Sequence, residues 1–253
     1  MLEINNIEKS FGGLKAVNDC SMHVAEGSIT GLIGPNGAGK TTLFNLITGF
    51  YKPDKGKISF HGERIEGLSP DKIFHKKIFR TFQITREFEQ MTVLENLMII
   101  PPSQSGEKIW NTWLRSGMVR KEEKTIQEKA LDVLEFVELI HLKDEYAGTL
   151  SGGQKKLLEL AKSMMAEPKM VLLDEPGSGV NPTLMKKLVS NIRRLREEKN
   201  MTFFLVEHDM DLVMNLCDPV IVMSEGKKLA EGKPSEIRED ERVLEAYLGG
   251  QYR

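Results

Sequence analysis

Cysteine is almost missing from this chain, with only Cys20 and Cys217 in 253 residues. They lack the close spacing of a metal site and are too few for a disulfide framework, so both are expected to be buried thiols in a reducing compartment. Long apolar runs are missing as well. Nowhere do about 18 apolar residues follow one another, and the opening Met1-Leu2-Glu3-Ile4-Asn5-Asn6 has neither a basic leader nor an apolar stretch. The expectation is a cytosolic chain whose membrane contact is peripheral. Charge comes in no blocks: 28% of the residues are charged, the signs alternate, and the net charge is -2. That argues against a nucleic-acid partner. Internal repeats and low-complexity tracts are not found either.

What is present suffices for a sizeable core, since 40% of the residues are apolar; the length suits one large domain or two small ones. Short alternating segments, Ser21 to Ala25 and Lys57 to Phe60, are set off by Glu26-Gly27 and His61-Gly62 and predict antiparallel strands. Among them Ile29 to Ile33 differs, running straight into a glycine-rich loop with a helical stretch, Thr41 to Thr48, behind it. Met170 to Leu173 and Thr202 to Val206 lack polar alternation, as central parallel strands buried on both faces do. From about Gln83 to Lys169 the texture is helical, with a capping box at Thr92-Val93-Leu94-Glu95 and helical spacing from Glu123 to Ile140. Val220 to Met223 and Lys227 to Ala230 predict a closing hairpin, and Pro234 to Leu248 short helices.

The loop Gly34-Pro35-Asn36-Gly37-Ala38-Gly39-Lys40-Thr41, with Thr42 next, fits G-x-x-x-x-G-K-[ST] between a buried strand and a helix. Such a loop turns its N–H groups toward a phosphate, and the helix dipole favours the negative charge. Lys40 would reach the β- and γ-phosphates, and the Thr41 hydroxyl would ligate Mg²⁺. Asp174 ends an apolar strand, where an unpaired carboxylate costs several kcal/mol unless a cation or hydrogen bonds meet it, and Mg²⁺ is the obvious partner. Glu175 would take a proton from the water attacking the γ-phosphate. In open α/β sheets ligands sit beyond the carboxyl ends of the strands, which brings Asp174, Glu175 and His208 to the rim that holds the loop.

A second glycine-rich turn, Leu150-Ser151-Gly152-Gly153-Gln154, reads as a capping box in which Ser151 is the N-cap and Gln154 reaches back. That explains Ser and Gln but not two glycines in a first helical turn, each costing up to about 1 kcal/mol relative to Ala. Glycine there admits a close approach, and a second phosphate contact is the natural inference.

Together with Met170-Val171-Leu172-Leu173-Asp174-Glu175, this pentapeptide resembles the signature of ATP-binding cassette (ABC) ATPases, and the resemblance spans essentially the whole chain. It implies an α/β P-loop fold: a RecA-like, mostly parallel core sheet, an N-terminal antiparallel β-subdomain and an inserted α-helical subdomain. One ABC domain would cover 1–253, the core formed by 1–86 and 163–253 and the helical part by 87–162. In that family two ATP molecules lie in a head-to-tail dimer, so Ser151, Gly152, Gly153 and Gln154 would contact the nucleotide of a second ATPase subunit, identical or related. By position Phe11 resembles the aromatic that stacks on adenine, Gln83 the glutamine that senses Mg²⁺ and the attacking water, and His208 the switch histidine on the γ-phosphate. Many cassettes have Ser-Ala-Leu-Asp where this chain has Ser178-Gly179-Val180-Asn181; Asn181 before Pro182 reads as a helix N-cap.

Several segments are similar to one branch, the ATPase subunits of branched-chain (hydrophobic) amino-acid importers: Arg80-Thr81-Phe82-Gln83, Met91 to Leu97, the insert Pro101 to Arg120, and Ala230-Glu231-Gly232 leading to Ala246-Tyr247-Leu248-Gly249. That implies separate permease subunits, indirectly a solute-binding protein, and a place on the cytoplasmic face of the membrane. The alternatives are a lipid or lipopolysaccharide exporter and a soluble cassette of the iron-sulfur assembly type. Trp110 and Trp113 are expected to pack the insert against its own helices, with contact to a permease or to headgroups as the other reading.

Overall fold

A computed structural model describes residues 1–81, 87–107, 110, 113 and 116–249. The chain forms two compact units: Met1–Gln83 with Lys169–Ser178 and Ile192–Arg253, and Ile84–Pro168 with Gly179–Asn191.

The first unit holds two sheets. Strands β1 (Leu2–Phe11), β2 (Leu14–Val24), β4 (Lys55–Phe60) and β5 (Glu63–Arg64) pair antiparallel in the order β2-β1-β4-β5. Leu2 and Ile4 are buried while Glu3 and Asn5 are exposed, the period of two that gives β1 one apolar face. The second sheet has six strands, in the order β10 (Lys227–Gly232), β9 (Val220–Ser224), β3 (Ile29–Ile33), β8 (Thr202–Val206), β7 (Met170–Asp174), β6 (Ile78–Arg80). All its neighbours run parallel except the β9–β10 hairpin.

Strands β3, β7 and β8 are buried at every position, which is why their sequences show no polar alternation. Register then levels their ends, because Val206 is the partner of both Leu32 and Asp174. The carboxyl ends of three strands therefore open onto the loop that follows β3. Helix α1 (Lys40–Ile47) leaves that loop and buries Phe44, whose ring centroid lies 5.1 Å from that of Phe204 in β8. The shorter helices α2 (Pro70–His75), α7 (Met210–Leu216), α8 (Pro234–Glu239) and α9 (Glu241–Gly249) complete this unit. Cys20 and Cys217 are buried thiols, as expected.

The second unit is helical: α3 (Val93–Met98), α4 (Ser116–Phe136), α5 (Gly152–Ala166) and the first turns of α6 (Pro182–Lys199). The capping box at α3 forms, with the Thr92 N–H donating to Glu95 Oε2 at 2.8 Å and the Glu95 N–H to Thr92 Oγ1 at 3.1 Å. Helix α4 buries Ala130, Val133 and Leu134, a stripe of helical period. It ends at Phe136, four residues before the helical spacing in the sequence does, because Glu138 turns left-handed at φ 59° and the Leu139 N–H returns to the Leu134 carbonyl at 2.8 Å.

One expectation about the insert is overturned. Trp110 and Trp113 do not pack it down; they are 74% and 87% exposed. Among the described residues of this stretch Val119 is the buried one.

Candidate functional site

The glycine-rich loop closes on itself. Gly39 sits at φ 99°, where a Cβ would come within 2.3 Å of the Ala16 carbonyl oxygen, so only glycine lets the loop pass that strand and start α1 at Lys40. The Lys40 ammonium, 6% exposed as a residue, donates to the carbonyls of Gly34 at 2.7 Å and Pro35 at 3.1 Å. Burial pushes it below the ordinary lysine range, while the charges of Glu175 and Asp174 act in the opposite direction. The first N–H groups of α1 have no carbonyl one turn back and are available to an anion.

In front of the loop lies a cleft of about 570 Å³. Phe11, Asn36, Gly37, Ala38, Gly39, Lys40, Thr41, Thr42, Glu175 and His208 all line it. Phe11 stands at its edge, 43% exposed, with its ring edge-on to Tyr51 at 5.2 Å. It is not a core residue of β1. Gly34 and Pro35 serve from behind, through the two carbonyls that hold Lys40.

The two acids at the end of β7 go to different partners. Asp174 is buried, and its Oδ2 accepts from Arg80 Nη2 at 2.8 Å. The cation beside this carboxylate is thus a guanidinium of β6, which the sequence reading did not supply. Thr81 contributes as well, its hydroxyl accepting the Asp174 N–H at 3.3 Å. Glu175 then takes a left-handed backbone, φ 50°, which turns its side chain away from that pair. Its Oε1 lies 3.0 Å from Nε2 of His208, across the mouth of the cleft.

A further acid, Glu207, went unread in the sequence. It is 3% exposed and accepts the Gly177 N–H at 2.6 Å and the His208 N–H at 3.0 Å. Burial raises its carboxyl above the ordinary glutamate range, and those two N–H groups draw it partly back. One carboxylate thereby sets the backbone on both sides of the Glu175–His208 contact.

In the second unit the turn at 151–154 forms the expected capping box: the Ser151 N–H donates to Gln154 Oε1 at 2.8 Å and the Gln154 N–H to Ser151 Oγ at 3.4 Å. The two glycines differ. A Cβ on Gly153 would lie 2.4 Å from Leu184 Cδ1, so this glycine answers to the chain's own α6. A Cβ on Gly152 would meet nothing nearer than 3.7 Å, and Gly152 with Ser151 is exposed. Only Gly152 is left for an outside approach. Asn181 acts as the N-cap of α6, its Oδ1 accepting the Leu184 N–H at 3.0 Å. Lys155 pairs with Glu87, and Lys156, Glu159 and Lys162 of the same helix are buried. Gln83 lies outside the described residues.

The chain matches the family model described as ABC transporter over residues 17–178. Residues 227–253 match a second one, described as branched-chain amino acid ATP-binding cassette transporter. It is 45% identical, over 99% of its own length and 96% of the relative's, to the probable branched-chain amino acid transport ATP-binding protein LivG of Archaeoglobus fulgidus. It is 42% identical, over 98% of both chains, to the high-affinity branched-chain amino acid transport ATP-binding protein BraF of Pseudomonas aeruginosa. Among solved structures it is similar to the ADP conformation of an ATP-binding cassette of an ABC transporter, with a TM-score of 0.83, 40% identity and 98% coverage of both chains.

Proposed function

We propose that this chain, which belongs to the ABC transporter family of ATP-binding cassettes, powers the import of branched-chain amino acids through separate permease subunits. It is an ATP-binding, ATP-hydrolysing cassette by family. The solute class is supported by the match of its last residues, 227–253, to the branched-chain model and by relatives of that name along nearly its whole length. Among the described residues no helix is long and apolar enough to cross a membrane. The reading places the chain at the cytoplasmic face, held there by the permease.

Hydrolysis is carried by one observation: Lys40, Thr41, Glu175 and His208 line a single cleft, with Glu175 and His208 3.0 Å apart. In this reading adenine stacks on Phe11, and the phosphates lie on the first N–H groups of α1 with Lys40 against the β- and γ-oxygens. Water attacks the γ-phosphorus in line, its proton passes to Glu175 Oε1, and the bond to the bridging oxygen of ADP breaks. His208 orients the carboxylate and the water.

The residues present fit Mg²⁺, since the Thr41 hydroxyl and the Asp174 carboxylate are hard oxygen donors. Gln83 is the third candidate donor. Among the described residues no three His, Cys, Asp or Glu gather to hold a metal by themselves. That suits a cation held partly by substrate phosphates, and Mg²⁺ so bound would neutralise charge on the transferring group. Exposed Ser151 and Gly152 would meet the γ-phosphate bound by a second subunit.

The test is transport. Membranes holding the chain and its copurifying permease should show ATP hydrolysis stimulated by leucine, isoleucine or valine with the solute-binding protein, and Glu175→Gln should bind ATP yet not turn it over. Stimulation by lipid instead, or turnover at the parent rate in Glu175→Gln, would overturn the solute class or the base assignment, respectively.

A further inference from the structure

Arg80 is tied to more than its acid. Its side chain and that of Asp174 are 7% and 8% exposed. While Nη2 holds Asp174 Oδ2, Nη1 donates to Asn45 Oδ1 at 2.6 Å and to Thr48 Oγ1 at 3.1 Å. The guanidinium carbon lies 5.7 Å from the Phe44 ring centroid and 5.8 Å from that of Phe50. Asn45 belongs to α1 and Thr48 caps it, the same helix that presents Lys40 and Thr41 at its other end. One side chain therefore joins the strand-end acid to the helix of the phosphate loop.

A guanidinium does not lose its proton in a protein, so this site carries a permanent positive charge. Any divalent cation that uses Asp174 has to share the carboxylate with it. Like charges placed so close, with little water between them, weaken each other's hold on a common anion. We propose that Arg80 is a positioning residue that sets the affinity of the site for its metal. Through Oδ2 it fixes the carboxylate, and its charge holds the metal affinity down until a triphosphate adds its own oxygens. Mg²⁺ then arrives with ATP and leaves with the products. This rests on the reading of Asp174 as the acid on the metal.

The experiment uses the full chain with Mn²⁺ as probe, its free concentration followed by electron paramagnetic resonance, first without nucleotide, where the affinities below are read, and then with a non-hydrolysable ATP analogue. Arg80→Gln is expected to bind Mn²⁺ about tenfold more tightly, and Arg80→Lys, which keeps the charge, within about threefold of the parent. Analogue affinity measured in EDTA should stay within about threefold in both. A purely structural role would lower the melting temperature and leave Mn²⁺ affinity unchanged or weaker. Either of those affinities in Arg80→Gln overturns the proposal. Should Arg80→Gln not fold, Arg80→Met keeps the packing on Phe44 and Phe50 and carries the same expected and overturning results. Asp174→Asn separates the premise: a tenfold loss of Mn²⁺ affinity supports it, and parent affinity there takes down the reading of Asp174.

Discussion

Nε2 of His208 and Oε1 of Glu175 lie 3.0 Å apart at the mouth of the cleft, joined across two neighbouring strand ends. On the proposed mechanism a histidine so placed would act on the carboxylate and the water more than on the bound nucleotide. His208→Ala should therefore lower kcat about a hundredfold, within the range general acid–base partners contribute, while the ATP affinity moves less than about threefold. Steady-state kinetics beside equilibrium nucleotide binding checks the split.

The two glycines of the signature turn should respond in opposite ways. Gly153→Ala sets a methyl against Leu184, which offsets or reverses the gain in helix propensity and should cost up to about 2 kcal/mol of stability, with Leu184→Ala recovering part of it. Gly152→Ala has room and should leave stability unchanged or raise it by up to about 1 kcal/mol. Hydrolysis should still fall in Gly152→Ala. Urea denaturation and ATPase rates of the three variants test this.

Burial pushes the Cys20 thiol up to about 11 and the Cys217 thiol up to about 12, from an ordinary value of 9.0. Since the thiolate is the reactive form, alkylation at pH 8 should run at least about a hundredfold slower on the folded chain than in denaturant. The folded state holds these protons where the unfolded chain releases them, so stability should fall as pH rises from about 9 toward 11. Denaturation midpoints at pH 8 and pH 10 check the sign.

Trp110 and Trp113 are the chain's two tryptophans, and both are exposed. Emission should be that of indole in water and strongly quenched by acrylamide in the native protein. Trp110→Phe with Trp113→Phe should change stability by less than about 0.5 kcal/mol, as surface substitutions do.

What the sequence revealed was whatever is local. The phosphate loop, the unbroken apolar strands before Asp174 and His208, and both capping boxes are written in consecutive residues, and they form as read. Arg80 was invisible as a partner because 94 positions separate it from Asp174, and only the parallel pairing of β6 and β7 makes them neighbours. Glu207 looked like one more charge before a histidine; that the N–H groups of Gly177 and His208 converge on it follows from the turn after β8. The glycine pair shows the same limit, since Leu184, which crowds Gly153, lies beyond the next strand. The indoles misled because an amphipathic residue reads the same whether its neighbours cover it or not.

The Lys40 ammonium rests on the Gly34 and Pro35 carbonyls of its own loop. Those two oxygens mimic the acceptors that a polyphosphate offers, so the loop is drawn tight by its own backbone. A phosphate exchanges neutral acceptors for charged ones, which bind roughly twice as strongly. On the proposed function, nucleotide capture would be a swap of ligands on a lysine that two backbone carbonyls already hold in place, so less of its freedom would be left to lose when ATP lands.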